Sequence, residues 1–414
     1  MPALKISYAQ AVRRLETYVR SAGVKPGLAR IAALLRLLGA PQDTLPVIHI
    51  AGTNGKGSVA LMTTNALREC DYRTGTYLSP HLVDYTERLL LNGREISRRA
   101  FAALFARVDR AARQITGVTE FEVLTAMAFV YFRENKVEIA VLETGLGGLY
   151  DATNVCRSIL AIITPISYDH EDLLGKTLSA IAREKAGIIK PGVPVACAAQ
   201  EPAALAEILR QAEKQENEIK IVGSPLRFKL NLYGRHQACN AALALEAMRL
   251  LLTKNFYIPR RLILNGIQKT VVPARVQKWR DNPPFFLDSG HNPQALQNLL
   301  NALETEYPCK PVVLVFGLLR RKNLSAALAI LKPRVELLIA VDLPAADAYS
   351  SEEIAAAAGT AGLAVSTAPD IISACALARR EAKKRSAVAA AAGSFRLTGA
   401  IFRKYKLSRN ISEV

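Results

Sequence analysis

The sequence predicts an α/β protein in two parts: a doubly wound, mostly parallel sheet domain over residues 1–271 and a smaller α/β domain over 272–414. Three observations carry this. Apolar, β-branched runs of strand length alternate with longer amphipathic stretches, a glycine-rich loop joins the first such strand to a helix, and a second alternating series follows a proline-bearing break. In order, the strand runs are PVIHIA at 46–51, VEIAVLE at 137–143, ILAIIT at 159–164 and VPVACA at 193–198. Helical periodicity fills the gaps at 97–114 and 121–134, and continues in RHQACNAALALEAMRLLL at 235–252 and one further short helix. The segment KTVVPAR at 269–275 has no strong periodicity and reads as a linker. Beyond it lie PFFLD, then PVVLVFG at 311–317, VELLIAVD at 335–342 and AVAAAAG at 387–393, separated by alanine-rich helical stretches.

The chain has 414 residues, past the size at which one core usually stops growing, so two domains are expected. Half the residues are hydrophobic, yet no apolar run approaches the roughly 18 residues of a membrane span, and the first residues lack a signal-peptide pattern. A soluble, cytoplasmic protein without membrane partners is the expectation. Six cysteines without a C-x-x-C pair read as reduced thiols in apolar surroundings, with neither disulfide nor zinc site. A net charge of +18 favours an anionic partner. The basic residues are scattered in short runs without interleaved aromatics, which argues for nucleotide or small polyanion and against nucleic acid.

The motif GTNGKGS at 52–58 follows the strand PVIHIA and opens the next helix. Its glycines let backbone amides turn toward phosphate oxygens, Lys56 supplies charge to the outer phosphates, the Ser58 hydroxyl suits Mg²⁺, and the helix N-terminus adds its dipole. This P-loop is unusual in that Gly57 intervenes between lysine and serine. Glu143 leaves a hydrophobic strand directly into a glycine-rich loop, where strand ends face the ligand crevice and a carboxylate can hold a metal beside a nucleotide. Just past the next strand end lies His170, for which metal binding and a structural role both stand open.

These pieces occur in one series: GTNGKGS, SPHL from Ser79, EFE at 120–122, ETGLGG from Glu143, DATN from Asp151, DH at 169–170, EKAG around Lys185, HQ with Asn240, PAR ending at Arg275, and DSGHNP from Asp288. The series resembles the folylpolyglutamate synthase/dihydrofolate synthase family of the Mur ligases, from about residue 30 to the GS at 393–394. The resemblance implies an ATP-dependent ligase that phosphorylates a carboxylate and lets an amine displace the phosphate, with ATP, L-glutamate and folate or dihydropteroate as its small-molecule partners. It implies that Gly52, Thr53, Asn54, Gly55, Lys56, Gly57 and Ser58 hold the phosphates. It further implies Asn240 at the adenine, Arg275 at the phosphates, and Asp288 with His291 at the ribose and reaction centre. Ser79, Glu143 and Ser58 serve one Mg²⁺ and His170 a second. Lys185 matches a lysine carried as a carbamate, whose oxygens assist that second metal. A monovalent cation and a monomeric state follow from the same resemblance.

The chain departs from the family pattern in three places. Arg321 and Asn323 stand where two aspartates flank a lysine, Leu149 and Tyr150 precede Asp151 where arginine and leucine are usual, and the stretch 221–234 lacks room for a common strand pair. A Mur-type ligase for another carboxylate and a non-catalytic nucleotide-binding relative remain the alternatives.

Overall fold

In a computed structural model that describes residues 6–18, 26–252, 254 and 256–408, the run PVIHIA forms strand β1 (Pro46–Ala51), buried along nearly its whole length. The first part of the chain continues with β2 (Thr74–Tyr77), β3 (Leu89–Leu91), β4 (Arg94–Glu95), β5 (Ile139–Glu143), β6 (Arg157–Ile163), β7 (Val195–Ala198) and β8 (Ile219–Val222). They assemble in the order β4-β3-β2-β5-β1-β6-β7-β8. β1 lies parallel between β5 and β6, and only β2-β3 and β3-β4 pair antiparallel. Helices cover both faces, which explains why β1, β5 and β6 read as unbroken apolar runs rather than alternating ones. The chain winds to one side of β1 and then to the other, so the carboxyl ends of β1, β5 and β6 open onto one crevice.

The helix Lys56–Glu69 leaves β1 and is buried from Ser58 to Leu67, packed against the helices Arg235–Leu252 and Arg260–Gln268 as well as the sheet. On the other face, the helix Glu120–Glu134 starts at a reciprocal cap: the Thr119 hydroxyl accepts from Glu122 N, and the Glu122 carboxylate accepts from Thr119 N. That carboxylate also meets Arg30 at 3.1 Å. One polar side chain sits inside β1. His49 is fully buried, with Nε2 2.8 Å from Thr153 Oγ1, and burial with the nearby Lys190 charge lowers its imidazole to about 3.

The second sheet contains β9 (Gln277–Asp281), β10 (Pro284–Leu287), β11 (Val312–Phe316), β12 (Val335–Ala340), β13 (Val365–Thr367) and β14 (Val388–Ala392), in the order β13-β12-β11-β14-β10-β9. All neighbours are parallel except the β9-β10 hairpin. The small side chains of β14 lie wholly buried in the middle, feeding both faces of the core.

The segment 269–275 is packed rather than solvated: Thr270, Val272 and Ala274 are buried, and Asn65 Nδ2 donates to Thr270 Oγ1 at 3.1 Å. The cysteines also differ in part from expectation, since Cys309 is exposed and Cys70 and Cys239 are half-buried. The two sheets' layers meet closely along the helix Phe395–Tyr405. Gly399 there faces the loop after β2, and a Cβ on it would stand 2.1 Å from the Leu82 carbonyl oxygen, a gap only glycine allows. Arg403 Nη2 donates to the neighbouring Val83 carbonyl at 3.3 Å.

Candidate functional site

Both domains face one cleft. Every residue expected at the site lines it: the loop 52–58, Ser79, Glu143, His170, Lys185 and Asn240 from the first domain, and Arg275, Asp288 and His291 from the second.

The loop after β1 is tied down on its outer side, where Thr53 N and Asn54 N donate to the Pro165 carbonyl at 3.0 and 3.3 Å. Gly55 has φ +92°, and a Cβ there would meet Asn240 Oδ1 at 2.6 Å, so glycine is required both by the turn and by the asparagine above it. Asn240 Nδ2 donates to Gln237 Oε1 at 3.0 Å, satisfying part of the side chain within its own helix. Lys56 folds back over the loop, with Nζ 3.2 Å from Gly52 O, 3.3 Å from Thr53 O and 4.0 Å from Glu143 Oε1.

Glu143 ends β5 and is 5% exposed. Burial raises its carboxyl, opposed first by Lys56 and then by the Ser79 amide, which donates to Oε2 at 3.1 Å. A buried carboxylate whose second oxygen faces the lysine and the loop is an oxygen donor suited to a hard cation. No group of three or more His, Cys, Asp or Glu placed to hold a metal occurs among the described residues.

Lys185 is buried on the helix Leu178–Ala186, with Nζ donating to Gly52 O at 2.9 Å. Burial, reinforced by the Lys56 charge, pushes its amine down to about 7. His170 has φ +52° and precedes a short helix. Its Nε2 lies 3.4 Å from Lys322 Nζ; burial and then the lysine charge push the imidazole down to about 3. A cation beside His170 would face Lys322 and an unmodified Lys185, so this second position suits a metal only once Lys185 carries negative charge.

From the second domain, Arg275 places its guanidinium 4.9 Å from the centre of the Phe395 ring, a stacked cation rather than a solvated linker charge. Asp288 is engaged on both oxygens by backbone amides, Val276 N at 2.8 Å and Gly290 N at 2.6 Å, so it shapes its loop as well as facing the cleft. His291 Nδ1 lies 3.0 Å from Ser289 O, which places the ring proton there and turns Nε2 toward Asp169 Oδ2 at 3.7 Å. Burial lowers the His291 imidazole despite that carboxylate.

Three residues that the sequence left without a role, Asp169, Lys322 and Asn292, meet beside the cleft, which Asp169 lines. Asp169 Oδ1 accepts from Lys322 Nζ at 2.5 Å and Oδ2 from Asn292 Nδ2 at 3.2 Å. Asn292 in turn donates to Asn54 Oδ1 at 3.0 Å, and Asn54 Nδ2 donates to Gln294 Oε1 at 2.6 Å. Burial would raise the Asp169 carboxyl, but the adjoining Lys322 ammonium holds it well below the usual carboxylate range.

A phosphate loop at the switch point of one parallel sheet, overhung by an arginine and a histidine from a second α/β domain, defines a two-domain nucleotide-dependent ligase. Comparison with known proteins bears this out: residues 50–215 match the Mur ligase middle domain, and residues 274–395 match the Mur ligase, glutamate ligase domain. The dihydrofolate synthase/folylpolyglutamate synthase of Bacillus subtilis is 35% identical over 331 residues, 72% of this chain and 77% of the relative. Among solved structures, a Mycobacterium tuberculosis folylpolyglutamate synthase complexed with ADP superposes with a TM-score of 0.90 at 30% identity, covering 97% of this chain and 98% of that one. A Yersinia pestis bifunctional folylpolyglutamate synthase/dihydrofolate synthase complexed with AMPPNP and Mn ion gives a TM-score of 0.86 at 27% identity, over 98% of this chain and all of that one. The chain belongs to the folylpolyglutamate synthase/dihydrofolate synthase family.

Proposed function

We propose that this protein uses ATP to join L-glutamate to a folate, and that the same machinery serves dihydropteroate as acceptor. The observation that carries the reading is the convergence of Lys56, Glu143, Lys185, Arg275 and His291 from two domains on one cleft. The loop amides that follow Asn54, together with the N-terminus of the helix Lys56–Glu69, bind the phosphates, and Lys56 and Arg275 offset their charge so that an anionic carboxylate can approach. An oxygen of the acceptor carboxylate attacks the γ-phosphorus, the bond to ADP breaks, and an acyl phosphate forms. The glutamate nitrogen then attacks the acyl carbon, phosphate leaves, and the nitrogen loses a proton. His291 is held neutral by burial, with its ring proton on Nδ1, so Nε2 can receive that proton.

A divalent ion at Ser58, Ser79 and Glu143 would supply charge neutralisation between the triphosphate and the carboxylate. Carbamylation of Lys185 would turn a buried cation into an anion and make the His170 side of the cleft hospitable to a second ion. Asn240, above Gly55, fits the adenine side, and Asp288 holds the loop that reaches the ribose. The domain boundary belongs at 271/272, and the protein works as a cytoplasmic monomer. No helix among the described residues is long and apolar enough to cross a membrane.

The deciding experiment is phosphate release from ATP and Mg²⁺ with L-glutamate, comparing dihydropteroate, dihydrofolate and tetrahydrofolate, with mass analysis of the products. Release with a folate and a product heavier by one glutamyl residue supports the reading, and release with dihydropteroate adds the second activity. No turnover with any of the three overturns the folate assignment.

A further inference from the structure

Asp169 lies on the loop that follows β6 in the first domain, with its side chain 9% exposed. Its polar partners arrive from two separate places in the second domain: Lys322 from the loop after β11, and the adjacent His291 and Asn292 from the loop that joins β10 to the helix Pro293–Glu306. The chain of contacts then runs through Asn292 to Asn54 of the phosphate loop and on to Gln294. We propose that Asp169 is a positioning residue: it clasps the second domain onto the phosphate loop and so sets the register in which Arg275 and His291 overhang the cleft.

The physical argument is one of mutual dependence. The Lys322 side chain is 7% exposed, so neither it nor Asp169 is stable as a lone buried charge, and each is compensated only when the domains stand at this separation. A slide of about 1 Å would stretch the 2.5 Å contact past hydrogen-bonding range. Asn292 adds direction to the contact, because its amide bridges Asp169 and Asn54 while its oxygen caps its own helix through Ala295 N at 2.9 Å. The nucleotide loop and the second domain are therefore held by one hydrogen-bonded chain. The loop and helix that cradle the phosphates belong to the first domain, with Arg275 adding charge from the second, so the clasp governs placement of the overhanging groups more than nucleotide affinity.

The proposal rests on the ligase reading for its kinetic test alone, and small-angle scattering of the ligand-free protein tests it separately. In Asp169→Asn the radius of gyration should exceed the wild-type value, kcat should fall about 10- to 100-fold through misplacement of the overhanging groups, and the dissociation constant of a fluorescent ATP analogue should change less than about threefold. Lys322→Gln should behave alike, and the double variant should be no worse than the weaker single one, since both changes break one contact. Asn292→Ser keeps the helix cap but cannot span to Asn54 and Asp169. It should open the protein in the same direction without stranding a charge, which keeps the test available if Asp169→Asn does not fold. Scattering identical to wild type in both Asp169→Asn and Asn292→Ser, or single-variant losses in kcat that multiply in the double variant, would overturn the clasp. A wild-type protein inactive with all folate acceptors would instead remove the ligase reading and leave the scattering result standing.

Discussion

The amine of Lys185 offers the sharpest chemical prediction. An ordinary lysine, titrating near 10.5, is neutral in about one molecule in 3,000 at pH 7, whereas burial and Lys56 bring Lys185 to about 7 and make about half of it neutral. Only the neutral amine attacks CO₂, forming a carbamate and releasing one proton, so the reactive population is about 10³-fold larger than on a surface lysine. The carbamate nitrogen retains one hydrogen and can keep its 2.9 Å bond to the Gly52 carbonyl, while the new anion offsets Lys56. Because the amine is the reactive form, occupancy at fixed dissolved CO₂ should be high at pH 8 and fall as pH drops through about 7. Equilibration with ¹³C-labelled CO₂, followed by carbonyl NMR of wild type and Lys185→Met, reads this directly: one signal, lost in the variant and diminished below pH 7. Absence of a Lys185-dependent signal at pH 8, or a signal unchanged down to pH 5, would refute the reasoning.

Three further outcomes are expected. Gly399→Ala would push its new Cβ into the Leu82 carbonyl from 2.1 Å, moving the loop 79–84 by about 1 Å at a cost of about 1–3 kcal/mol; because Ser79 rides on that loop, the Mg²⁺ concentration for half-maximal turnover should rise, and an unchanged Mg²⁺ dependence would separate the loop from the metal. Glu143→Ala should cut turnover about 10²- to 10³-fold, with partial recovery at high Mg²⁺, and an unchanged metal dependence would return Glu143 to a purely structural role. His49 has its folded imidazole depressed from 6.5 to about 3, so its contribution is fully present above about pH 6.5 and is lost as pH falls toward 3. At pH 4.5 that loss is on the order of 3 kcal/mol. Urea unfolding at pH 7 and 4.5 should therefore show a steeper acid loss for wild type than for His49→Gln.

The parts of the fold legible in the sequence were those with a strong local pattern. β1, β5, β6, β11 and β12 are continuous apolar runs, and the helices 98–112 and 235–252 repeat every three to four residues, so their neighbours in the chain suffice to define them. β3, β4 and β13 span two or three residues each, and β9 reads QKWRD, a polar edge strand paired with β10 and anchored by Trp279 against Tyr405. Such strands exist because of distant partners, and no local window holds that information. The site divides the same way. The phosphate loop and Glu143 announce themselves because strand, glycine and charged residue are contiguous. Lys322 and Asp169 are 153 residues apart, and the lysine sits in a loop whose neighbours Arg321 and Asn323 break the family pattern, so only the folded chain shows that it reaches Asp169 beside the cleft. Gly399 likewise looks like a weak point in a helix until the Leu82 carbonyl is seen against it.

The order of the second sheet bears on how the protein is made. β14 is inserted between β10 and β11, strands that leave the ribosome some seventy to a hundred residues earlier. Until residue 392 emerges, those two strands have an empty lane between them, and the hairpin β9-β10 has no sheet to join. During synthesis the phosphate loop and its helices can therefore settle while the overhanging half of the cleft is still unformed. A chain stalled or cut before β14 would expose two unpaired parallel edges lined with Phe285, Leu287, Val313 and Val315, a surface for chaperones and proteases rather than a partly active enzyme.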